Sequence, residues 1–233
     1  DNPLICRVMF EYQTSFNVFK VTDIITSKIK FIPFNYYEKW AQNVLICQEL
    51  NPEDIKKCYY RPLEGLYGIK SEDSAFVHLI VIGMSRMGVA MAIEAAHLAH
   101  FPNYESKGKR SRITFIDKNA DVEKEFFMGR FKELFTLSHW RYGAVADDKI
   151  KWEAEPKFKL QEHLGGDFID IEWEFIKGSV ESDPVQQYIA DSSADKDASL
   201  TIAVCIPENS GAIAAAAYLP DSVYQSESTV QVL

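Results

Sequence analysis

Val77-His-Leu-Ile-Val-Ile-Gly-Met-Ser-Arg-Met-Gly88, continuing into Val-Ala-Met-Ala-Ile-Glu-Ala-Ala96, decides the fold. Phe76 to Ile82 is an almost unbroken apolar run. That is the pattern of a strand buried on both faces of a parallel sheet, not of an alternating, half-solvated one. A glycine turn follows, and the pattern then predicts a helix from about Met87 to Ala99. Ala90, Ala92, Ala95, Ala96 and Ala99 give that helix a small face for close packing on a sheet, and Phe101-Pro102 ends it.

The turn, Gly83-Met-Ser-Arg-Met-Gly88, reads G-x-S-x-x-G. In the G-x-G-x-x-G fingerprint of dinucleotide-binding βα units, the first Gly makes the turn and the second bares the backbone to the pyrophosphate. The third lets helix and strand approach. Gly83 and Gly88 hold the first and third roles, and Ser85 stands in the second. Ser is small and brings a hydroxyl that can hold a phosphate. The helix amides face any such phosphate, and Arg86 adds positive charge. The nucleophile elbow G-x-S-x-G needs one residue fewer after the Ser, and no Ser-His-acid set accompanies it, which excludes a hydrolase of that kind.

Arg112-Ile-Thr-Phe-Ile-Asp117 is the expected second strand, ending in an acid. In this arrangement the acid takes the ribose hydroxyls, and a carboxylate there favours NAD over NADP. The expected cofactor-binding residues are Gly83, Met84, Ser85, Arg86, Met87 and Gly88 in the turn, and Asp117 and Lys118 at the second strand. Pro207, beyond the fourth strand Leu200–Ile206, completes the set as part of a second wall. No catalytic residue and no metal ligand is assigned.

Further along, Val122 to Leu137 is expected as one amphipathic helix that buries Phe126, Phe127, Phe131, Leu134 and Phe135. Ser138-His-Trp-Arg-Tyr142 is expected as its capped end. Ile150 to Leu160 alternates and suggests an inserted β segment that pairs with the third strand. That third strand, Phe168 to Phe175, alternates strictly, with Asp170, Glu172 and Glu174 on one face. A strand order of 3-2-1-4-5 puts it at the sheet edge, where charges block aggregation. Thr229 to Leu233 is the expected fifth strand.

The whole reads as an α/β protein with a Rossmann-like doubly wound parallel sheet, a helical lead-in and an inserted β segment. Residues 1–75 form the lead-in: a helix over Leu4–Phe16, a strand over Phe16–Val21, a helix or strand over Ile24–Ile32 broken by Pro33, and a helix over Tyr36–Leu45. From Gln48 to Asp73 the pattern fades into a linker. Two readings of this lead-in stand open: the tail of a preceding α/β domain, or an arm wrapped on the next one. The aromatics Phe31, Phe34, Tyr36, Tyr37 and Trp40 are read as core or interface, because aromatics at this density usually pack. Residues 76–233 form the nucleotide-binding domain, and the chain reads as a piece cut from a longer protein.

The composition fits a globular chain: 233 residues, 47% hydrophobic and 25% charged. A net charge of −9 argues against a nucleic-acid or anionic-membrane surface, both of which need clustered Lys and Arg. Four scattered cysteines, Cys6, Cys47, Cys58 and Cys205, with no C-x-x-C pair, argue against a metal site or disulfide framework and fit a cytoplasmic setting. No run approaches the length of a membrane helix.

Leu79-Ile-Val-Ile-Gly-Met-Ser-Arg-Met-Gly88 together with Ile113-Thr-Phe-Ile-Asp-Lys118 resembles the N-terminal nucleotide-binding domain of the TrkA/RCK family, the cytoplasmic regulatory domains of potassium channels and transporters. The family turn Gly-x-Gly-Arg-x-Gly is matched at Gly83, Arg86 and Gly88 and departs at Ser85. The resemblance spans roughly residues 76–233. It implies a regulatory module that binds NAD(H) or another adenine nucleotide, works as a homo-oligomer or tandem domain, and belongs to a parent with a membrane part. Two other readings stay open on the residues: a fragment of an NAD-dependent oxidoreductase, and a degenerate scaffold that binds no nucleotide.

Overall fold

The computed structural model describes residues 3–12, 15, 16, 18, 19, 25, 26, 28–46, 48, 49, 59, 60, 62–65, 68–153 and 169–233. Cys47, Cys58, Val21, Phe158, Leu160 and Phe168, which figure in the sequence reading, lie outside them.

The chain opens with β1 (Leu4–Phe10), β2 (Ile25–Thr26) and β3 (Ile29–Asn35), then α1 (Tyr36–Ile46) and the short antiparallel pair β4 (Gln48–Glu49) and β5 (Tyr59–Tyr60). β1 lies parallel to β3 from Leu4↔Ile29 to Phe10↔Asn35, and β2 turns back against the start of β3. The expected helix over Leu4–Phe16 is therefore a strand up to Phe10. Leu-Ile-Cys-Arg-Val-Met-Phe offers hydrophobics at nearly every position, and its pairing to β3 overrides a helical reading. Around Phe16 and Phe19, where a strand was expected, the described residues 15, 16, 18 and 19 are helical. Pro33 does not break its segment: it sits inside β3, where β2 covers only Ile29 and Lys30 and leaves an open edge that tolerates Pro.

The main sheet has seven strands: β6 (Phe76–Ile82), β7 (Ser111–Asp117), β8 (His139–Ala146), β9 (Lys149–Trp152), β10 (Ile171–Lys177), β11 (Ala198–Val204) and β12 (Thr229–Val232). Their spatial order is β12-β11-β6-β7-β10-β8-β9, and every pairing is parallel except β8 with β9. Helices α2 (Arg86–Leu98), α3 (Asn103–Lys107), α4 (Ala120–Arg130), α5 (Lys132–Thr136), α6 (Asp183–Ala194), α7 (Asn209–Ala217) and α8 (Asp221–Gln225) complete the chain. This is a Rossmann-like doubly wound α/β fold.

Side-chain alternation along the strands sorts the core into two layers. On one face Val77, Leu79, Val81, Ile113, Phe115, Trp173 and Phe175 pack beneath α1, α2, α4 and α5. Phe115 stacks on Phe175 with centroids 5.6 Å apart, and Phe127 of α4 meets Phe115 edge-on at 5.2 Å. On the other face Ile80, Ile82, Ile116, Ile176, Ile202 and Val204 pack beneath α6, α7 and α8.

Three expectations change in this half. The helix expected over Val122–Leu137 is two helices, because Phe131 leaves helical geometry (φ −115°, ψ 39°). Phe126 is exposed, while Phe127 and Phe135 are buried. Ser138-His-Trp-Arg-Tyr142 is no helix end: β8 begins at His139. Lastly, β8 rather than the segment after Ile150 pairs with the third strand, so β10 lies between β7 and β8 and is not an edge. Its acids are thus not edge guards. Glu174 is fully buried, Glu172 meets Arg112 at 3.3 Å, and Asp170 meets His100.

Candidate functional site

The first βα turn is built from a few close approaches. Gly83 has φ +97°, and a Cβ there would stand 2.8 Å from the Cys205 carbonyl oxygen. A Cβ on Gly88 would stand 2.2 Å from the Gly83 carbonyl oxygen, so the helix starts hard against its own turn. Both positions require glycine. Ser85 is the N-cap of α2: its backbone is extended (φ −68°, ψ 174°) and its Oγ accepts the N–H of Gly88 at 3.2 Å. A hydroxyl residue in place of the middle glycine thus has a structural cause, because it satisfies one of the free amides that open every helix. The Gly83 N–H donates to the Ile116 carbonyl, tying the turn to the end of β7.

Asp117 completes this tie. Its Oδ2 accepts the Met84 N–H at 2.8 Å and its Oδ1 accepts the Asn119 N–H at 2.7 Å. One carboxylate therefore fixes both loops. Each oxygen retains a lone pair for a hydroxyl donor.

Between these loops and the ends of β10 and β11 lies a groove of about 480 Å³. It sits beyond the carboxyl ends of the strands, where the sheet order reverses between β6 and β11, the position at which open α/β sheets bind ligands. Of the expected residues, Gly83, Met84, Ser85, Asp117, Lys118 and Pro207 line it together. Arg86, Met87 and Gly88 do not. Gly88 is buried in the turn, and Met87 joins the core beneath α2. Arg86 turns away to the lead-in, where it pairs with Glu11 at 3.0 Å and lies 4.1 Å over the Tyr12 ring. It lies outside the groove, paired with the lead-in, and lines a neighbouring cavity.

The sequence reading missed the third and fourth walls. Asn119 and Glu123 follow β7, Gly178, Ser179 and Glu181 follow β10, and Gly211 and Ala214 come from α7. Gly178 was legible only as a glycine just past the end of an expected strand. Ser179 and Glu181 carried no such signal, since nothing local marks a loop as lying at a switch point. The ionisable side chains lining the groove are Asp117, Glu123 and Glu181 against Lys118. The groove is thus more acidic than a site for a highly charged phosphate would be.

A second polar cluster lies nearer the amino ends of the strands, beneath α6. Glu174 of β10 is neighboured in register by Thr114 of β7 and Arg141 of β8. Its Oε2 accepts the Thr114 hydroxyl at 2.9 Å and the Tyr188 hydroxyl, and its Oε1 accepts the Arg141 Nε–H at 2.8 Å. Arg112 stands 3.5 Å away. Thr114 spends its only proton on Glu174, so its 2.9 Å contact with His78 Nε2 assigns that nitrogen as the donor. Burial alone would raise the Glu174 carboxyl, but Arg112 and Arg141 overcome it and hold the group below its usual range. Burial drives His78 down to about 3, so the ring is neutral. Burial, with Glu174 adding to it, pushes the Tyr188 phenol well up. Arg141 also lies 4.0 Å over the Trp152 ring, which joins β9 to the cluster. This is a satisfied buried network that fixes the β8–β9 extension in register.

Among the described residues no group of three or more His, Cys, Asp or Glu side chains could hold a metal ion, and no helix is long and apolar enough to cross a membrane. Cys205 is buried beside the turn, and burial raises its thiol to about 12, so it is an unreactive packing residue. Compared with protein-family models, curated proteins and solved structures, the chain matches none of them. Fold and site together define it as a Rossmann-like α/β protein with a groove at its switch point.

Proposed function

We propose that the groove binds an adenine nucleotide of low phosphate charge, NAD among them, and that the chain is a regulatory binding module rather than an enzyme. The single observation that carries this reading is the convergence of Gly83, Ser85 and Asp117 on one groove at the reversal of strand order. Asp117 is placed for ribose hydroxyls. Because Asp117, Glu123 and Glu181 outnumber Lys118, a 2′-phosphate would meet net negative charge. A link to potassium transport, a cytoplasmic location and assembly as a homo-oligomer or tandem domain rest on the resemblance of the turn and second strand alone.

A scaffold that binds no nucleotide is favoured by one observation: Asp117 already engages two backbone amides of its own loops. Titration with NAD and NADP separates the readings. Nucleotide binding predicts that NAD binds at least about fivefold more tightly than NADP, from the repulsion of the roughly 1.5–2 negative charges that the 2′-phosphate adds in a solvated groove. Equal affinity for the two would remove Asp117 from the ribose.

A further inference from the structure

A second cavity of about 650 Å³ adjoins the groove. The two share Ser85, Ile206 and Pro207 as lining residues, so the turn and the loop after β11 form a saddle between them. The far wall of this cavity comes from the lead-in: Tyr36 and Trp40, on consecutive turns of α1. Of the two expectations for these aromatics, core or interface, core does not hold for this pair: each is 45% exposed. The rings stack on each other with centroids 5.9 Å apart and planes 30° apart. Leaving two large aromatic rings stacked and half bare at the lip of a cavity costs apolar hydration that packing would have relieved. Asn209, from the start of α7, adds a polar group with both donor and acceptor on the same cavity.

We infer that this cavity is a ring-binding subsite for the second half of a dinucleotide. The adenosine half lies in the groove at Asp117, the pyrophosphate crosses the Ser85–Pro207 saddle, and a flat heteroaromatic ring stacks against the Tyr36–Trp40 wall. Stacking on aromatic side chains tolerates any flat ring, and Asn209 supplies a partner for a ring amide. The lead-in is then part of the ligand site, and occupancy would bind it to the main sheet. This inference rests on the nucleotide reading of the groove.

The test uses the 233-residue chain with AMP, ADP-ribose and NAD as probes. They share the adenosine, and only NAD carries the second ring. NAD should bind about tenfold more tightly than ADP-ribose, as expected for one stacked ring. Trp40→Ala should abolish that difference and leave AMP affinity unchanged. Trp40→Phe should retain most of it, which separates loss of stacking from damage to α1. AMP binding with no difference between NAD and ADP-ribose, or a difference that survives Trp40→Ala, overturns the subsite and leaves the groove reading intact. Failure of all three probes to bind overturns both.

Discussion

Ser85 Oγ holds the N–H of Gly88 at 3.2 Å, so the residue that departs from the glycine fingerprint is bonded to the glycine that completes it. The departure therefore does not loosen the turn. A hydroxyl there caps α2, and the turn exchanges bare backbone for a helix start fixed from within.

Capping makes Ser85 measurable in the absence of any ligand. Ser85→Ala should lower stability in urea by about 1 kcal/mol, and Ser85→Gly by only a few tenths, because glycine leaves the cap amide open to water. An alanine variant as stable as the parent would mean the hydroxyl has no capping role.

Gly88 should tolerate nothing larger. Its Cβ would lie 2.2 Å from a backbone oxygen, which cannot yield as a flexible side chain would. Gly88→Ala is expected to cost about 3 kcal/mol or more. Gly129, inside α4 with nothing within 4 Å of a Cβ, serves as the contrast: Gly129→Ala should stabilise by about 0.5–1 kcal/mol. Thermal melts of the two variants should move in opposite directions.

Acid should weaken the fold through His78. Its folded value of about 3 lies below the unfolded 6.5, so the unfolded chain binds the extra proton between those values. Stability is therefore present above pH 6.5 and is lost as pH falls towards 3, by up to about 1.4 kcal/mol per pH unit. Glu174, held below its usual range, adds a loss with the same sign at lower pH. Urea midpoints at pH 7.5 and 5.0 should differ by about 2 kcal/mol for this group, and His78→Gln should remove that part of the difference. An unchanged slope in the variant would refute a neutral buried His78.

Glu174 is the hub of the same network. Glu174→Ala leaves Arg141 and Arg112 facing each other beneath α6, and removing one partner of a buried ion pair costs about 3–5 kcal/mol. The expected readout is a large loss in denaturant midpoint, accompanied by faster amide exchange in β8 and β9, which the network fixes to the sheet. Loss confined to β11 and β12 would contradict that role.

Much of the fold was written in local pattern. The apolar run at β6, the glycines at the turn, the acid at the end of β7 and the buried run at β11 each carry their own signal, and 3-2-1-4-5 follows for β10, β7, β6, β11 and β12. The signals for β8 were local, the aromatics Trp140 and Tyr142 and the Asp147-Asp148 turn, and the helix-end reading passed over them. Nothing near Glu174, by contrast, says that an added strand will bury it. Alternation alone reads the same at an edge as at a polar seam inside a sheet. Leu4–Phe10 has hydrophobics at too many positions to fix a period, and its pairing with β3 decided the matter. At the site, Gly83, Ser85 and Asp117 were legible because turn chemistry is local. The direction of Arg86 was not, because Glu11 and Tyr12, which draw it away, lie more than seventy residues earlier in the chain.

Calorimetric titration of the 233-residue chain with AMP and NAD shows whether the groove at Asp117 binds an adenine nucleotide. Saturable binding of one ligand per chain is expected, weakened at least tenfold by Asp117→Ala in a variant shown by circular dichroism to be folded. The loss of a carboxylate acceptor for ribose hydroxyls corresponds to about 1.5–3 kcal/mol. Absence of binding at millimolar ligand, or binding that Asp117→Ala leaves untouched, would contradict it.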